Sequence, residues 1–276
     1  MRLRAVGLSA AFLVSGFALA IGLYGVIARL LGPRALTLGT EAAALQSAVM
    51  LASFGLATWV FGFRAGRLDA RRLRWTPGGA RPFLTGLAVG IVPALGAMAL
   101  GVSFAGARWS LDGGSFGAWL TTVAGLLALL LPAALAEEMI FRGVPLVLLS
   151  EAFGRASAVI GLAVMFGLAH LFNPGATSLA IGNVALAGVF LGTVFYLPGG
   201  LWTATGAHLG WNATLAALAA PVSGLPFAVP WLDYRPGAPQ WFTGGGFGPE
   251  GGLTATAVLA AGTILAARLT RKESPT

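Results

Sequence analysis

Residues 126–149 read LLALLLPAALAEEMIFRGVPLVLL, an apolar stretch that carries two adjacent acids, Glu137 and Glu138. A membrane-spanning helix needs about 20 predominantly apolar residues, so this stretch is long enough to cross a bilayer. A carboxylate inside hydrocarbon is costly unless it has a partner or faces water. We therefore interpret the two glutamates as functional candidates within a membrane helix.

The composition of the whole chain is typical of an integral membrane protein. Hydrophobic residues make up 57% of the 276 residues and charged residues only 9%, whereas a soluble domain has roughly 25% charged residues. We predict one integral domain over residues 1–276, an all-α transmembrane bundle of about eight spans. The predicted spans are 5–28, 42–63, 83–105, 118–149, 157–172, 177–197, 201–220 and 252–267.

The N-terminus has some features of a secretory signal peptide. Arg2 and Arg4 precede an apolar run, and Ala18-Leu19-Ala20 is similar to a cleavage site. The apolar run continues past Ala20 to Ala28, however, which favours a retained first span.

The basic residues indicate the topology. With a cytoplasmic N-terminus, eight spans place twelve Arg and Lys residues inside and four outside, apart from intramembrane Arg142, as the positive-inside rule requires. We predict a multi-pass protein of the plasma (inner) membrane with both termini cytoplasmic, a cytoplasmic Arg-rich loop at 64–82 and an extracytoplasmic loop at 221–251. The net charge of +8 is then explained by the basic residues that set the membrane topology. The expected partners are the lipid bilayer and a membrane-anchored peptide or protein substrate, and not nucleic acid.

The strong polar groups fall in three apolar segments, and none of them is a thiol because the chain has no Cys. In the first segment, Glu138 and Arg142 are four residues apart on one helical face, where they can form an ion pair. Glu137 is rotated by about 100°, so it can face a different cavity and do acid–base chemistry. The alternative is that both glutamates pair with Arg142 as a structural lock.

The second segment places Phe166 and His170 four residues apart on one face. If the fourth and fifth spans form a hairpin that turns at 150–156, Glu137 and His170 each lie about 18–20 Å from the turn. They would then meet at the same depth.

The third segment places His208 and Asn212 on one face and Gly206 and Gly210 on roughly the opposite face, where a neighbouring helix can approach closely. Counted from Gly200, His208 lies only about 12 Å deep. A tilted or displaced helix is therefore needed to bring His208 to the level of the other two polar segments.

These groups together suit hydrolysis. A buried glutamate can act as general base on water, a histidine can relay the proton, and the other histidine and the asparagine can stabilise an oxyanion. The same groups also fit a divalent metal such as zinc, with Glu137, His170 and His208 as candidate ligands. The residue pattern leaves both mechanisms open.

The three motifs EExxxR (Glu137, Glu138, Arg142), FxxxH (Phe166, His170) and HxxxN (His208, Asn212) occur in this order. In this they resemble the CAAX-protease and bacteriocin-processing family of intramembrane proteases, which includes the type II CAAX prenyl endopeptidases. The resemblance covers a family-like catalytic core at about 115–220.

The resemblance implies an intramembrane endopeptidase in which Glu137 and His170 activate water. It further implies that His208 and Asn212 stabilise the oxyanion or join in binding a metal, and that Arg142 pairs with Glu138. Both a metalloprotease and a metal-free glutamate mechanism are compatible with the family.

Two other functions compete with proteolysis. A non-catalytic membrane scaffold or immunity-type protein would use the polar cluster only to lock helices together. A proton-coupled transporter would use Glu137, Glu138 and His170 as a relay.

Overall fold

The computed structural model describes residues 2–32, 40–75 and 79–272 of the chain. Arg34 and residues 76–78 of the predicted Arg-rich loop lie outside the described residues, as do the side chains of Arg271 and Lys272. The fold is a helical membrane bundle, as predicted. Its helices are α1 (Arg2–Leu31), α2 (Thr40–Ala57), α3 (Ala80–Ala105), α4 (Phe116–Arg142), α5 (Val144–Phe153), α6 (Arg155–Ala169), α7 (Ser178–Val194), α8 (Leu201–Ala217), α9 (Gln240–Thr243) and α10 (Leu253–Lys272).

Within the described residues, five helical segments are long and apolar enough to cross a membrane. They are Arg2–Leu31, Ala42–Ala65, Ala80–Ala105, Phe116–Phe153 and Leu253–Thr270. The helices α6 and α7 are apolar but shorter, and α8 has 17 residues. The count of eight spans therefore stays a prediction. The first helix continues unbroken from Arg2 to Leu31, well past Ala20.

Backbone contacts divide the chain into two compact units. Unit 1 takes in Met1–Pro77 and Ala128–Ala158, and unit 2 takes in Gly78–Leu127 and Val159–Thr276. The EExxxR segment thus belongs to unit 1, whereas both histidines belong to unit 2.

In unit 1, α1 packs against α2 and α5. The buried ring of Phe54 on α2 lies 5.4 Å from the ring of Phe12 and 5.0 Å from that of Phe17. After α2 the chain continues as a π-helix over Thr58–Ala65. In the same unit, Arg72 makes two hydrogen bonds, of 2.9 and 2.8 Å, to the carboxylate of Glu151.

In unit 2, α3 and α8 pack with their backbones in contact, because both helices present glycines to each other. A methyl group built on Gly86 or Gly90 would overlap the carbonyl oxygen of Thr203 or Ala207. A methyl group on Gly206 or Gly210 would likewise overlap the backbone of α3. The glycine spacing therefore sets the approach of the helix that carries His208.

The segment between α8 and α10 has more structure than the predicted loop. Its strand β2 (Asp233–Arg235) pairs antiparallel with β1 (Arg108–Ser110), which precedes α4. Trp231 contacts the rings of Phe116 and Trp119 at 5.7 and 6.4 Å. The segment is therefore held within unit 2 by the strand pairing and by the ring contacts of Trp231.

Candidate functional site

The EExxxR segment lies at the C-terminal end of α4. Arg142 Nη1 donates a 2.8 Å hydrogen bond to Glu138 Oε1, and the side chains of Arg142 and Glu138 are 2% and 0% exposed. The predicted ion pair is thus present and buried. Glu137 is half-buried and adds a smaller electrostatic attraction to the same guanidinium. The two glutamates therefore occupy different environments, as their rotation on the helix predicts.

The helix breaks directly after this motif, which the continuous predicted span at 118–149 did not include. Gly143 separates α4 from α5, and a methyl group there would overlap the carbonyl oxygen of Met139. Pro145 has no N–H for the α4 hydrogen-bond ladder, so it favours the break. The chain then turns at Gly154 (φ 88°) into α6, within the predicted turn at 150–156.

The FxxxH segment lies at the end of α6, which stops at Ala169, one residue before His170. The backbone N–H of His170 bonds to the carbonyl of Gly167, so the last turn tightens and the Phe166 carbonyl loses its usual partner. His170 Nδ1 lies 2.8 Å from this carbonyl oxygen. Since a carbonyl only accepts hydrogen bonds, Nδ1 carries a proton, and Nε2 is the acceptor whenever the ring is neutral.

The ring of Phe166 links the two histidines. It lies 4.8 Å from the ring of His170 and 6.0 Å from the ring of His208, edge to face in both cases. His208 is buried in α8, and Asn212 is half-buried one turn later. The structure therefore brings the second and third motifs together in unit 2 despite the difference in depth along their helices.

The joining of these motifs with Glu137 stays a prediction, because Glu137, Glu138 and Arg142 belong to the other unit. The metal is a separate question. Within the described residues, no three His, Cys, Asp or Glu side chains are grouped so that they could hold a metal ion. A metal held by Glu137, His170 and His208 stays a prediction, because Glu137 belongs to the other unit, and we derive no step through a metal.

Sequence reasoning missed Glu250, a buried carboxylate three residues before α10. Its Oε1 accepts a 2.9 Å hydrogen bond from Trp211 Nε1, and its Oε2 accepts hydrogen bonds from the backbone N–H and the hydroxyl of Ser223. Burial raises the pKa of Glu250, whereas the bonds from Ser223 and Trp211 and the charge of His170 lower it. The only sequence signal was an acid in a Gly- and Pro-rich segment next to a membrane helix.

The fold and these motifs define a membrane-embedded, multi-pass helical protein in which the rings of His170 and His208 both contact the ring of Phe166. Among protein families, residues 118–214 match the type II CAAX prenyl endopeptidase Rce1-like family. This match lies within the predicted core at 115–220 and confirms the resemblance inferred from the three motifs. That family consists of CAAX prenyl endopeptidases by its name. Comparisons with curated proteins and with solved structures found no match.

Proposed function

We propose that this protein hydrolyses a peptide bond in a membrane-anchored or apolar peptide, with a water molecule activated by Glu137 and His170. The observation that supports this most directly is the hydrogen bond between His170 and the Phe166 carbonyl. The Nδ1–H of His170 is held by the Phe166 carbonyl at 2.8 Å, so Nε2 of the neutral ring is the nitrogen that can accept a hydrogen bond from water.

In the proposed reaction, the Glu137 carboxylate takes one proton from water while the water oxygen attacks the carbonyl carbon of the scissile bond. His170 Nε2 accepts a hydrogen bond from the same water and orients it. The side chains of His208 and Asn212 donate hydrogen bonds to the oxyanion of the tetrahedral intermediate. The carbon–nitrogen bond then breaks, and the leaving amine takes up the proton that Glu137 holds.

Glu138 and Arg142 support the site without taking part in proton transfer. Their ion pair is buried, so it fixes the helical turn from which Glu137 projects.

We further propose that the protein lies in the plasma (inner) membrane with both termini cytoplasmic, because this topology places most Arg and Lys residues inside. Cysteines introduced one at a time into loops of this Cys-free chain, followed by labelling with an impermeant thiol reagent, test that orientation.

The activity test uses the purified full chain in lipid bicelles and a fluorogenic peptide with a farnesylated C-terminal CAAX sequence. We expect cleavage by the wild type and a loss of at least about 100-fold in Glu137→Gln and in His170→Ala. The matched control is Glu151→Gln, since Glu151 is a half-exposed acid on α5 outside the motifs. Full cleavage by either folded motif variant refutes the mechanism.

The same variants separate proteolysis from the scaffold function. A catalytic role predicts that Glu137→Gln and His170→Ala unfold near the wild-type temperature but do not cleave. A purely structural role predicts instead that they lose stability. Identification of the cleaved bond by mass spectrometry then defines the position of the cut.

A further inference from the structure

The carboxylate of Glu250 sits at a junction between the loop at 221–251 and α8. It is 8% exposed and accepts hydrogen bonds from two different chain segments, Ser223 on one side and Trp211 on the other. A carboxylate has two acceptor oxygens, so it can bind both segments at once. It is a buried acid that the proposed chemistry does not use.

Ser223 connects this carboxylate to the segment that follows His170. Its carbonyl accepts a 2.8 Å hydrogen bond from Asn173 Nδ2, and the N–H of Asn173 in turn bonds to the His170 carbonyl. Ser223 has φ of 49°, a conformation that non-glycine residues adopt only where their surroundings enforce it. Its amide, hydroxyl and carbonyl are all engaged, which accounts for that conformation.

Trp211 connects the same carboxylate to the third motif. It lies on α8 between His208 and Asn212, and its indole N–H donates to Glu250 Oε1 at 2.9 Å. Glu250 also interacts electrostatically with His170. A continuous set of contacts therefore runs from the His170 segment through Asn173, Ser223 and Glu250 to the helix that carries His208.

The backbone of Glu250 is anchored separately from its side chain. Asn183 Nδ2 on α7 donates 2.8 Å hydrogen bonds to the carbonyls of Glu250 and Gly252. The hydroxyl of Thr256 in turn donates to Asn183 Oδ1 at 2.6 Å. The fold thus has a way to hold the loop in place that does not involve the carboxylate.

We propose that Glu250 is a positioning residue of the candidate active site, whose carboxylate holds the segments of His170 and His208 in a fixed relation through Ser223 and Trp211. This role rests on the proposed peptidase function. Asn183 can hold the loop through the backbone carbonyls of Glu250 and Gly252. The loop then does not need a carboxylate at position 250 for its stability, because a neutral side chain would leave this anchor in place. The three hydrogen bonds of the carboxylate point instead to control of the two segments that carry the histidines.

Three variants test the proposal. Glu250→Gln keeps the size of the side chain, but it replaces one of the two acceptor oxygens by an amide NH2 donor, which then faces the donor of either Trp211 or Ser223. Trp211→Phe keeps an aromatic ring and removes only the indole donor. The control is Thr256→Val, which weakens the Asn183 anchor of the same loop and leaves the Glu250 carboxylate untouched.

Cleavage of the farnesylated fluorogenic peptide provides the first readout. We expect kcat of Glu250→Gln and Trp211→Phe to fall by about 10–100-fold, since a displacement of about 1 Å can cost 100-fold, while KM stays within about twofold of wild type. Thr256→Val should keep the wild-type kcat even where it lowers the unfolding temperature. If Glu250→Gln fails to fold, the folded Trp211→Phe variant decides in the same way.

The indole N–H signal of Trp211 in an NMR spectrum of the full chain provides a second readout that needs no cleavage. It is assigned by its absence in Trp211→Phe, and we expect it to move in Glu250→Gln and to stay in place in Thr256→Val. A wild type that cleaves no peptide refutes the proposed function. An unmoved indole signal, wild-type kcat in folded Glu250→Gln, or an equal kcat loss in Thr256→Val refutes the positioning role.

Discussion

Gly90 on α3 is the position at which one added methyl group should disturb the site most. A methyl group there would lie 2.8 Å from the carbonyl carbon of Ala207 and 2.8 Å from the amide nitrogen of Trp211, and closer still to the Ala207 carbonyl oxygen. Ordinary contacts begin at 3.4 Å, so the two contacts at 2.8 Å alone require a separation of about 0.6 Å, and the closer carbonyl oxygen requires α3 and α8 to separate further. These neighbours are backbone atoms, which cannot rotate away as a flexible side chain can.

The expected cost of Gly90→Ala follows from two opposing contributions. Overpacking costs about 1–3 kcal/mol, and the rigid neighbours place this site at the upper end. Replacing glycine by alanine in a helix returns about 0.5–1 kcal/mol. The net loss is about 2 kcal/mol, which lowers the unfolding temperature by roughly 4–8 °C at about 2–4 °C per kcal/mol. Because His208 adjoins Ala207, a shift of this size should also lower kcat, by up to about 100-fold.

Thermal unfolding of the purified chain and cleavage of the fluorogenic peptide measure the two effects. The control is Gly161→Ala on α6, where nothing lies within 4 Å of the added methyl group, so both quantities should stay near wild type. A Gly90→Ala variant with wild-type unfolding temperature and kcat refutes the argument from close helix approach. An equal loss in Gly161→Ala refutes it as well.

Two further predictions concern charged and titrating groups. Arg142→Leu leaves the buried Glu138 without its 2.8 Å ion pair and should lower the free energy of unfolding by about 3–5 kcal/mol. The double variant Glu138→Leu, Arg142→Leu should lose much less, because it leaves no buried charge without a partner. Equal thermal stabilities of the two variants would contradict this prediction. Burial raises the pKa of Tyr234 on β2 to about 12, so the tyrosinate absorbance that Tyr234→Phe removes should appear near pH 12. The stability that Tyr234 contributes is then present below its ordinary pKa and lost as the pH rises toward 12, and a titration near pH 10 would refute the prediction.

Most of the helices followed from hydrophobic runs, because a membrane helix must be apolar over its length. The turn between α5 and α6 at Gly154 and the pair Glu138–Arg142 were also predictable, since both depend on neighbours in sequence. The end of α6 was placed too late, at residue 172 instead of Ala169. Its last turn is tightened by a local hydrogen bond at His170 that hydropathy does not register.

The parts that sequence reasoning missed depend on contacts between distant residues. The strands β1 and β2 have three residues each and lie more than 100 residues apart, so no periodicity marks them. Glu250 was likewise not distinguishable from an ordinary loop acid. Its significance arises only when α8 presents Trp211 and the loop presents Ser223 to the same carboxylate.

The surroundings of Glu137, Glu138 and Glu250 indicate which of these three carboxylates can act on water. A general base needs an oxygen that water can reach. Glu138 is fully buried against Arg142, and both oxygens of Glu250 already accept hydrogen bonds from the protein. Glu137 is only half-buried and attracts Arg142 less strongly than Glu138 does. The difference in burial therefore favours Glu137 as the base over the other two.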